Sequence, residues 1–233
     1  MNNTFPFTAI VGLELAKRSL LFHAVDPRLG GLLLMGHRGC AKSTLARAFR
    51  EILPAPIYSE MSPFVEVPLG TSEDRLLGSI DASSLLENGK WSAQSGLIEQ
   101  ANGGVLYIDE VNLLPDHLVD SILDSAASGQ HRIERDGLSQ TVNARYILIG
   151  SMNPEEGDLR PQLTDRFMHG ILIHDDFSVE ERREIVRVRM DFDDDPQNFL
   201  AEQQTKLEQL RSQILGVRQE LKNVEISENL RTE

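Results

Sequence analysis

The sequence has little cysteine, a deficit of positive charge and no long apolar run. Cys40 is the single cysteine among 233 residues, which excludes an intrachain disulfide framework and favours a reducing compartment. No apolar stretch approaches the ~20 residues that a membrane-spanning helix needs. Residues 1–12 lack the basic region and apolar core of a signal peptide. We therefore expect a cytoplasmic protein without a membrane span.

Basic residues are outnumbered by acidic ones. The chain has 23 Lys and Arg against 36 Asp and Glu, a formal net charge of −13. Proteins that bind nucleic acids generally need a basic face to neutralise phosphates. The composition therefore argues against a nucleic-acid partner, although a local basic patch is compatible with this charge.

Short apolar segments predict a buried parallel sheet. With 40% hydrophobic residues, a chain of this length suits one large α/β domain. Continuous apolar runs that alternate with helical patterns are typical of βα units. The predicted strands cover 31–35, 104–108, 145–150 and 170–173.

Helical segments alternate with these strands. Ser178, followed three residues later by Glu181, forms a capping box that opens a helix to about Met190. An acid-rich turn at 191–195 precedes a long helix starting at Pro196. The other predicted helices cover 13–23, 43–53 and 115–127.

The long helix carries a heptad-like apolar stripe. It packs either on the chain's own domain, which is the favoured interpretation because the stripe is short, or on a partner. Its members are Leu207, Leu210, Ile214, Val217, Leu221 and Val224.

A phosphate-binding loop is predicted between the first strand and the next helix. Small residues let backbone N–H groups turn towards phosphates, and the helix N-terminus adds its positive dipole end. Lys42 would reach the β- and γ-phosphates, and the Ser43 hydroxyl would bind Mg²⁺. The predicted nucleotide-binding residues here are Gly36, His37, Arg38, Gly39, Cys40, Ala41, Lys42, Ser43 and Thr44.

Ala41 stands where such loops usually have a second glycine. If the backbone at Ala41 is left-handed, the side chain costs ~1–2 kcal/mol, which is tolerable. If Ala41 already belongs to the helix, it costs nothing. A strand–helix turn without a ligand is the alternative for the loop as a whole.

Two acids follow the second predicted strand directly. Ligands bind parallel sheets at the carboxyl ends of the strands, where this strand delivers Asp109 and Glu110. Asp109 is placed to hold Mg²⁺ through water, and Glu110 to act as general base on the attacking water. A solvated acidic turn is the alternative, and the phosphate loop upstream argues against it.

Two further polar residues follow later strands and helices. Asn153, after the third strand, is placed to orient water against the γ-phosphate, or belongs to a plain Asn-Pro turn. Arg166 can act as a finger on a neighbouring subunit's nucleotide. Its alternative is a surface ion pair with Asp165 or Asp175, which stabilises little.

With these elements in this order, the chain resembles the AAA+ ATPase family and, within it, the I subunits of magnesium chelatase. The resemblance extends over essentially the whole sequence. Its runs are FPFTAIVG at 5–12, AVDP at 24–27, LGTSEDR at 69–75, GVLYIDEVNLL at 104–114, DHLVD at 116–120 and NPEEGDLRPQLTDRF at 153–167.

The resemblance implies a P-loop AAA+ large domain, a parallel sheet flanked by helices. It implies an insertion in the second helix at 69–94 and a hairpin before the sensor-1 strand at 130–146, with its turn near 135–137. It also implies that Ile10 and Val11 belong to the adenine pocket.

The same resemblance assigns the phosphate-loop pair to Lys42 and Ser43 and the Walker B pair to Asp109 and Glu110. Asn153 becomes the sensor-1 residue, and Arg166 the arginine finger.

The resemblance also implies what the protein does. It predicts a motor ATPase using ATP and Mg²⁺ in a homo-oligomeric ring, a hexamer, that remodels a partner with a von Willebrand factor A domain. Metal insertion and metalloprotein maturation are both open as its task, and a nucleic-acid motor or a nucleotide-dependent scaffold are the alternatives. The nucleotide-binding domain is expected at 1–190, and 191–233 is expected to lead towards a lid domain that this sequence lacks.

Overall fold

The structure is a computed structural model that describes residues 4–54, 61–81, 92–135 and 138–224. Its α-helices are α1 (Glu14–Val25), α2 (Lys42–Ile52), α3 (Glu73–Leu77), α4 (Leu97–Gln100), α5 (Asp116–Ser128), α6 (Pro161–Thr164), α7 (Val179–Asp194) and α8 (Pro196–Glu220). Its strands are β1 (Gly31–Met35), β2 (Phe64–Val67), β3 (Ser79–Asp81), β4 (Ser92–Gln94), β5 (Val105–Ile108), β6 (Gln130–Arg135), β7 (Leu138–Asn143), β8 (Ile147–Met152) and β9 (Phe167–Leu172). Short 3-10 turns lie at Phe7–Ala9, Val111–Leu113, Pro154–Glu156 and Leu221–Asn223.

A five-stranded parallel sheet forms the centre, in the order β2-β5-β8-β1-β9. Strands β5 and β8 are buried along their whole length, because hydrophobic clusters cover both faces of the sheet. Apolar side chains at every position are what a strand between two helical layers requires. The predicted parallel α/β sheet is confirmed, and all five carboxyl ends point to one edge.

The last strand is longer than predicted at its start. It was expected at 170–173, but β9 covers Phe167–Leu172, and Phe167 pairs with Gly31 of β1. Buried and more exposed residues alternate along β9, as expected for an edge strand that is covered on one face. This alternation hides the strand from a search for continuous apolar runs.

Both additions to the domain that the resemblance implied, the hairpin and the helix-2 insertion, are present. β6 and β7 form an antiparallel hairpin in which Ile133 packs against Val142; its expected turn includes Asp136 and Gly137, which lie outside the described residues. The helix-2 insertion expected at 69–94 contains α3 and the β3–β4 pair, and its central part, 82–91, also lies outside them.

The acidic turn predicted at 191–195 is mostly helical, which corrects the expectation. The capping box that opens α7 is confirmed, but the helix continues to Asp194. Two observations explain the extension. Arg189 pairs with Asp193 at 2.6 Å, one helical turn on, and Phe192 is buried against Phe199 of α8.

The stripe on α8 packs on the chain's own domain over its first half. Leu207 and Ile214 are buried in the cluster beneath α1 and α2, which confirms the favoured interpretation for this part. Val217 and Val224 are 47% and 64% exposed. No helix among residues 4–54, 61–81, 92–135 and 138–224 is long and apolar enough to cross a membrane.

Candidate nucleotide-binding site

The loop between β1 and α2 has the backbone of a phosphate cradle. Gly39 has a φ of 87° and Ala41 a φ of 63°, both in the left-handed region. Of the two options for Ala41, the strained one therefore holds, at a cost of ~1–2 kcal/mol. The loop delivers Lys42 as the first residue of α2, at a helix N-terminus where anions are favoured.

The Lys42 ammonium lies against its own loop. Its Nζ donates to the carbonyl oxygens of Gly36 at 2.6 Å and His37 at 2.8 Å. The Cys40 thiol donates to the same His37 carbonyl at 3.0 Å. The amine is thus held within the turn that phosphates would occupy.

The end of β5 lies beside the start of α2. Asp109 Oδ1 accepts hydrogen bonds from the Tyr107 hydroxyl at 2.9 Å and from the Ser151 hydroxyl at 2.6 Å. The Tyr107 oxygen also lies 3.0 Å from Ser43 Oγ. Burial raises the pKa of Tyr107 well above its ordinary value, so the phenol stays protonated and can donate.

Glu110 lies across the cleft from the phosphate loop. Its Oε1 is 3.3 Å from Arg38 Nη2, and the same guanidinium group lies 2.7 Å from Glu156 Oε1. His37 Nδ1 is 3.4 Å from Glu155 Oε2. The loop is therefore tied to the candidate general base and to the turn after β8.

Asn153 is buried at the end of β8. Its Oδ1 accepts from the Glu155 backbone N–H at 3.2 Å and so caps the turn at Pro154–Glu156. The side chain reaches a cavity of about 350 Å³ that brings the predicted phosphate and metal residues together. This polar cavity is lined by Arg38, Gly39, Ala41, Lys42, Ser43, Thr44, Asp109, Glu110 and Asn153.

A second cavity, of about 260 Å³, adjoins the polar one, and both share Gly39, Ala41 and Thr44. Ile10 and Val11 line it, as expected of adenine-pocket residues. Its other side is formed by α7 and by Phe177, two residues before that helix. Sequence reasoning missed these residues because they lie far from Ile10 and Val11 along the chain. The lining residues are Phe5, Ala9, Ile10, Val11, Leu13, Gly39, Cys40, Ala41, Thr44, Phe177, Ile185, Val188 and Arg189.

Arg166 lies apart from these cavities. It is not among the described residues that line either one. Its guanidinium group donates to Asp120 at 2.6 Å and to Asp124, both on α5. The ion pair with Asp165 or Asp175 that the sequence suggested is wrong in its partners, because the start of β9 places Arg166 against α5.

The oxygen donors at the sheet edge fit a magnesium ion. Ser43 supplies a hydroxyl and Asp109 a carboxylate, and Mg²⁺ is held in proteins by few such ligands together with water and substrate phosphates. In the part of the chain that the structure describes, no group of three or more His, Cys, Asp and Glu side chains could hold another metal ion.

Comparisons with known proteins agree with this architecture. A family model, the AAA domain of the dynein-related subfamily, matches residues 31–167. The magnesium-chelatase 38 kDa subunit of Rhodobacter capsulatus is 45% identical over 247 positions, covering 95% of this chain and 71% of that protein. A model of the BchI–BchD complex of magnesium chelatase, based on a 7.5 Å cryo-electron microscopy reconstruction, matches with a TM-score of 0.73. That match has 44% identity and covers 96% of this chain and 78% of the other.

Two further relatives differ in the length of their alignment. The 38 kDa subunit of Chlorobaculum tepidum is 43% identical over 263 positions, covering 98% of this chain and 67% of that protein. An uncharacterised protein of Mycobacterium tuberculosis is 43% identical over 225 positions, covering 97% of this chain and 36% of that protein. Since this chain has 233 residues, the first alignment includes at least 30 positions without a counterpart here. By domain match, identity and fold alike, the chain belongs to the AAA+ ATPases and, among them, to the family of the magnesium-chelatase 38 kDa (I) subunits.

Proposed function

We propose that this ATPase binds ATP with Mg²⁺ in the joined cavities and hydrolyses it at the polar one. The observation that carries the proposal is the convergence of Lys42, Ser43, Asp109, Glu110 and Asn153 on one cavity. The adjoining apolar cavity suits the adenine base, since nucleobases present a flat face to apolar side chains. The two share Gly39, Ala41 and Thr44, so one nucleotide can occupy both.

Each residue has a task that follows from its chemistry. Lys42 neutralises the β- and γ-phosphates, and Ser43 and Asp109 hold Mg²⁺, which when bound offsets negative charge on the phosphate oxygens. Glu110 accepts a proton from the attacking water, and Asn153 orients that water. Glu110 must first leave Arg38, an exposed contact that costs little to break.

We further propose that the chain works in a ring, a hexamer, in which Arg166 reaches the nucleotide of the neighbouring subunit. Two observations support this. Arg166 is held at the flank of the domain by Asp120 and Asp124, away from its own cavity. The similar solved chain comes from a complex between two subunits, BchI and BchD. A partner with a von Willebrand factor A domain would be the remodelled protein.

The proposed task is to drive metal insertion by a magnesium chelatase-like assembly, or maturation of a metalloprotein. The hairpin does not suggest a nucleic-acid motor, because Arg132 is engaged by Glu134 at 2.7 Å and by Ser139 at 2.8 Å.

Adding the chain to the other subunits of a magnesium chelatase tests metal insertion against metalloprotein maturation. Formation of a magnesium-containing tetrapyrrole, followed by its fluorescence, supports metal insertion; no product under conditions with active ATPase argues against it.

Two variants test the nucleotide site itself. Lys42→Ala removes the phosphate cation and should lower affinity for a fluorescent ATP analogue about 100-fold, as expected for losing hydrogen bonds between charged groups. Glu110→Gln should bind the analogue normally and lose about 10²–10⁴ in turnover, because an amide cannot accept the proton of water. Wild-type affinity in the first, or wild-type turnover in the second, would refute the roles proposed for these residues.

A further inference from the structure

A tyrosine in the middle of an apolar strand lies at the centre of the metal-binding edge. Tyr107 is fully buried on β5, and its ring stacks on Phe64 of β2 with centroids 5.8 Å apart. Its hydroxyl lies within 3.1 Å of three side-chain oxygens, on Ser43, Asp109 and Ser151. Two of these oxygens belong to the residues assigned above to Mg²⁺.

The direction of these hydrogen bonds follows from the groups present. A phenol has one hydrogen to donate, and a carboxylate is the strongest acceptor within reach. Tyr107 therefore donates to Asp109 Oδ1 and can accept from the Ser43 hydroxyl. Ser151 donates to the same Oδ1 at 2.6 Å.

This arrangement orients both candidate metal ligands. When Ser43 donates its hydrogen to Tyr107, the lone pairs of its oxygen are left for a cation. Asp109 receives both hydrogen bonds on Oδ1, and among the described residues none donates to Oδ2, which remains available to the metal or its water. Groups that orient metal ligands in this way strengthen metal binding.

We propose that Tyr107, assisted by Ser151, is a positioning residue for Mg²⁺. It joins the start of α2 to the end of β5, so that Ser43 and Asp109 are held in place before nucleotide arrives. Phenylalanine would keep the ring stacking but lose this link. The inference rests on the proposed function, because it assumes that Ser43 and Asp109 hold the metal of a bound nucleotide.

Tyr146 provides a matched control. It is a second buried tyrosine, directly before β8, and its hydroxyl also bonds within the core, 2.5 Å from Ser125 Oγ and 2.9 Å from the Ile122 carbonyl. Tyr146→Phe therefore removes a comparable buried hydroxyl far from the metal ligands. Thermal unfolding of both variants shows whether they lose similar stability.

The experiment titrates Mg²⁺ against the affinity for a fluorescent ADP. Tyr107→Phe should bind ADP like wild type in EDTA. It should need about ten times more free Mg²⁺ to reach half of the increase in ADP affinity that Mg²⁺ produces (the midpoint), as expected for losing a hydrogen bond to a charged group. Ser151→Ala should shift the midpoint in the same direction, and it carries the test if Tyr107→Phe fails to fold. Tyr146→Phe should leave the midpoint unchanged.

The outcomes separate this inference from the function beneath it. A wild-type midpoint in folded Tyr107→Phe, or in Ser151→Ala where Tyr107→Phe fails to fold, or an equal shift in Tyr146→Phe, overturns the positioning role and leaves the nucleotide site standing. Wild-type protein whose ADP affinity does not respond to Mg²⁺, or Lys42→Ala that binds like wild type, overturns the site and the inference together.

Discussion

The two halves of the cleft are built in different ways. The phosphate half is polar, and its side chains follow three neighbouring strands, β5, β8 and β1. The base half is mainly apolar, and its walls come from the N-terminal segment and from α7. One half therefore depends on the edge of a single rigid sheet, and the other on two distant segments packing against each other.

This difference separates the groups that perform the chemistry from the apolar contacts to the base. Groups at the sheet edge are held by hydrogen bonds between side chains, as at Asp109 and Ser151, so small displacements there affect catalysis. The base half contributes apolar contact area, which is non-directional. Apart from Lys42→Ala, which removes the phosphate cation and lowers affinity, substitutions in the first half should change turnover or metal dependence. Substitutions in the second half should change nucleotide affinity alone.

The largest expected effect is on the ATPase rate of Arg166→Ala, which tests whether the phosphate half is complete within one subunit. Arginine fingers contribute about 10³–10⁵ in turnover, so Arg166→Ala should lose a large part of the ATPase rate while ATP affinity stays near wild type. The lost ion pairs with α5 are on the surface and stabilise little. Steady-state ATPase assays and nucleotide titrations measure the two quantities.

Arg160 is the matched control for this variant. It lies six residues earlier and pairs with Asp116, also on α5, at 2.5 Å, so Arg160→Ala removes a similar surface ion pair and should retain turnover. Mixing Arg166→Ala with Lys42→Ala should restore some activity, because each supplies the half-site that the other lacks. No recovery under conditions in which wild type assembles and turns over would show that Arg166 does not act between subunits.

The comparison also shows what the sequence could reveal. The phosphate half was predicted because Lys42, Ser43, Asp109 and Glu110 follow strands within short motifs, and motif spacing fixes their place at the sheet edge. For the base half, only the family resemblance indicated Ile10 and Val11.

The rest of the site depends on tertiary packing. Phe177 and Val188 reach the base half only because α7 folds back over the N-terminal segment. Tyr107 was also missed as a polar participant, since a tyrosine in an apolar strand resembles any core aromatic. Its position two residues before Asp109 was the available signal.

A smaller effect is expected in the base half. Ile10→Ala removes three carbons from a side chain that lines the apolar cavity. Because only part of their surface would contact the base, the lost apolar burial corresponds to about tenfold weaker binding. Because the contact is to the base, ATP and ADP should weaken equally and the Mg²⁺ midpoint should not move. Val186→Ala, on the exposed side of α7, should bind as wild type. Unequal losses for ATP and ADP would contradict the division between the two halves.

The smallest effect concerns a buried acid that anchors the base half. The carboxyl group of Glu51 on α2 accepts a hydrogen bond from the Phe7 backbone, just before Ile10, and burial raises its pKa from 4.5 to about 7 despite the nearby charges of Arg211 and Arg50. Its Oε2 is buried without a hydrogen-bond partner. A carboxyl group whose pKa is higher in the folded state holds its proton more tightly there, so the folded protein loses stability as pH rises from about 4.5 to 7.

Glu51→Gln should therefore raise the melting temperature at pH 8 and leave it nearly unchanged at pH 4.5, where wild-type Glu51 is protonated in the folded state. The pKa shift, reduced for the partial solvent exposure of the side chain, corresponds to about 1–2 kcal/mol, or roughly 3–6 °C for a domain of this size. Melting curves of wild type and variant between pH 4.5 and 8.5 measure the difference. Glu208→Gln, at an exposed position of α8, controls for the change in net charge. A gain in melting temperature of equal size at both ends of the pH range would assign the effect to packing and not to the carboxylate charge. A gain that appears only as pH rises, together with unchanged turnover, would show that the buried charge of Glu51 lowers stability without contributing to catalysis.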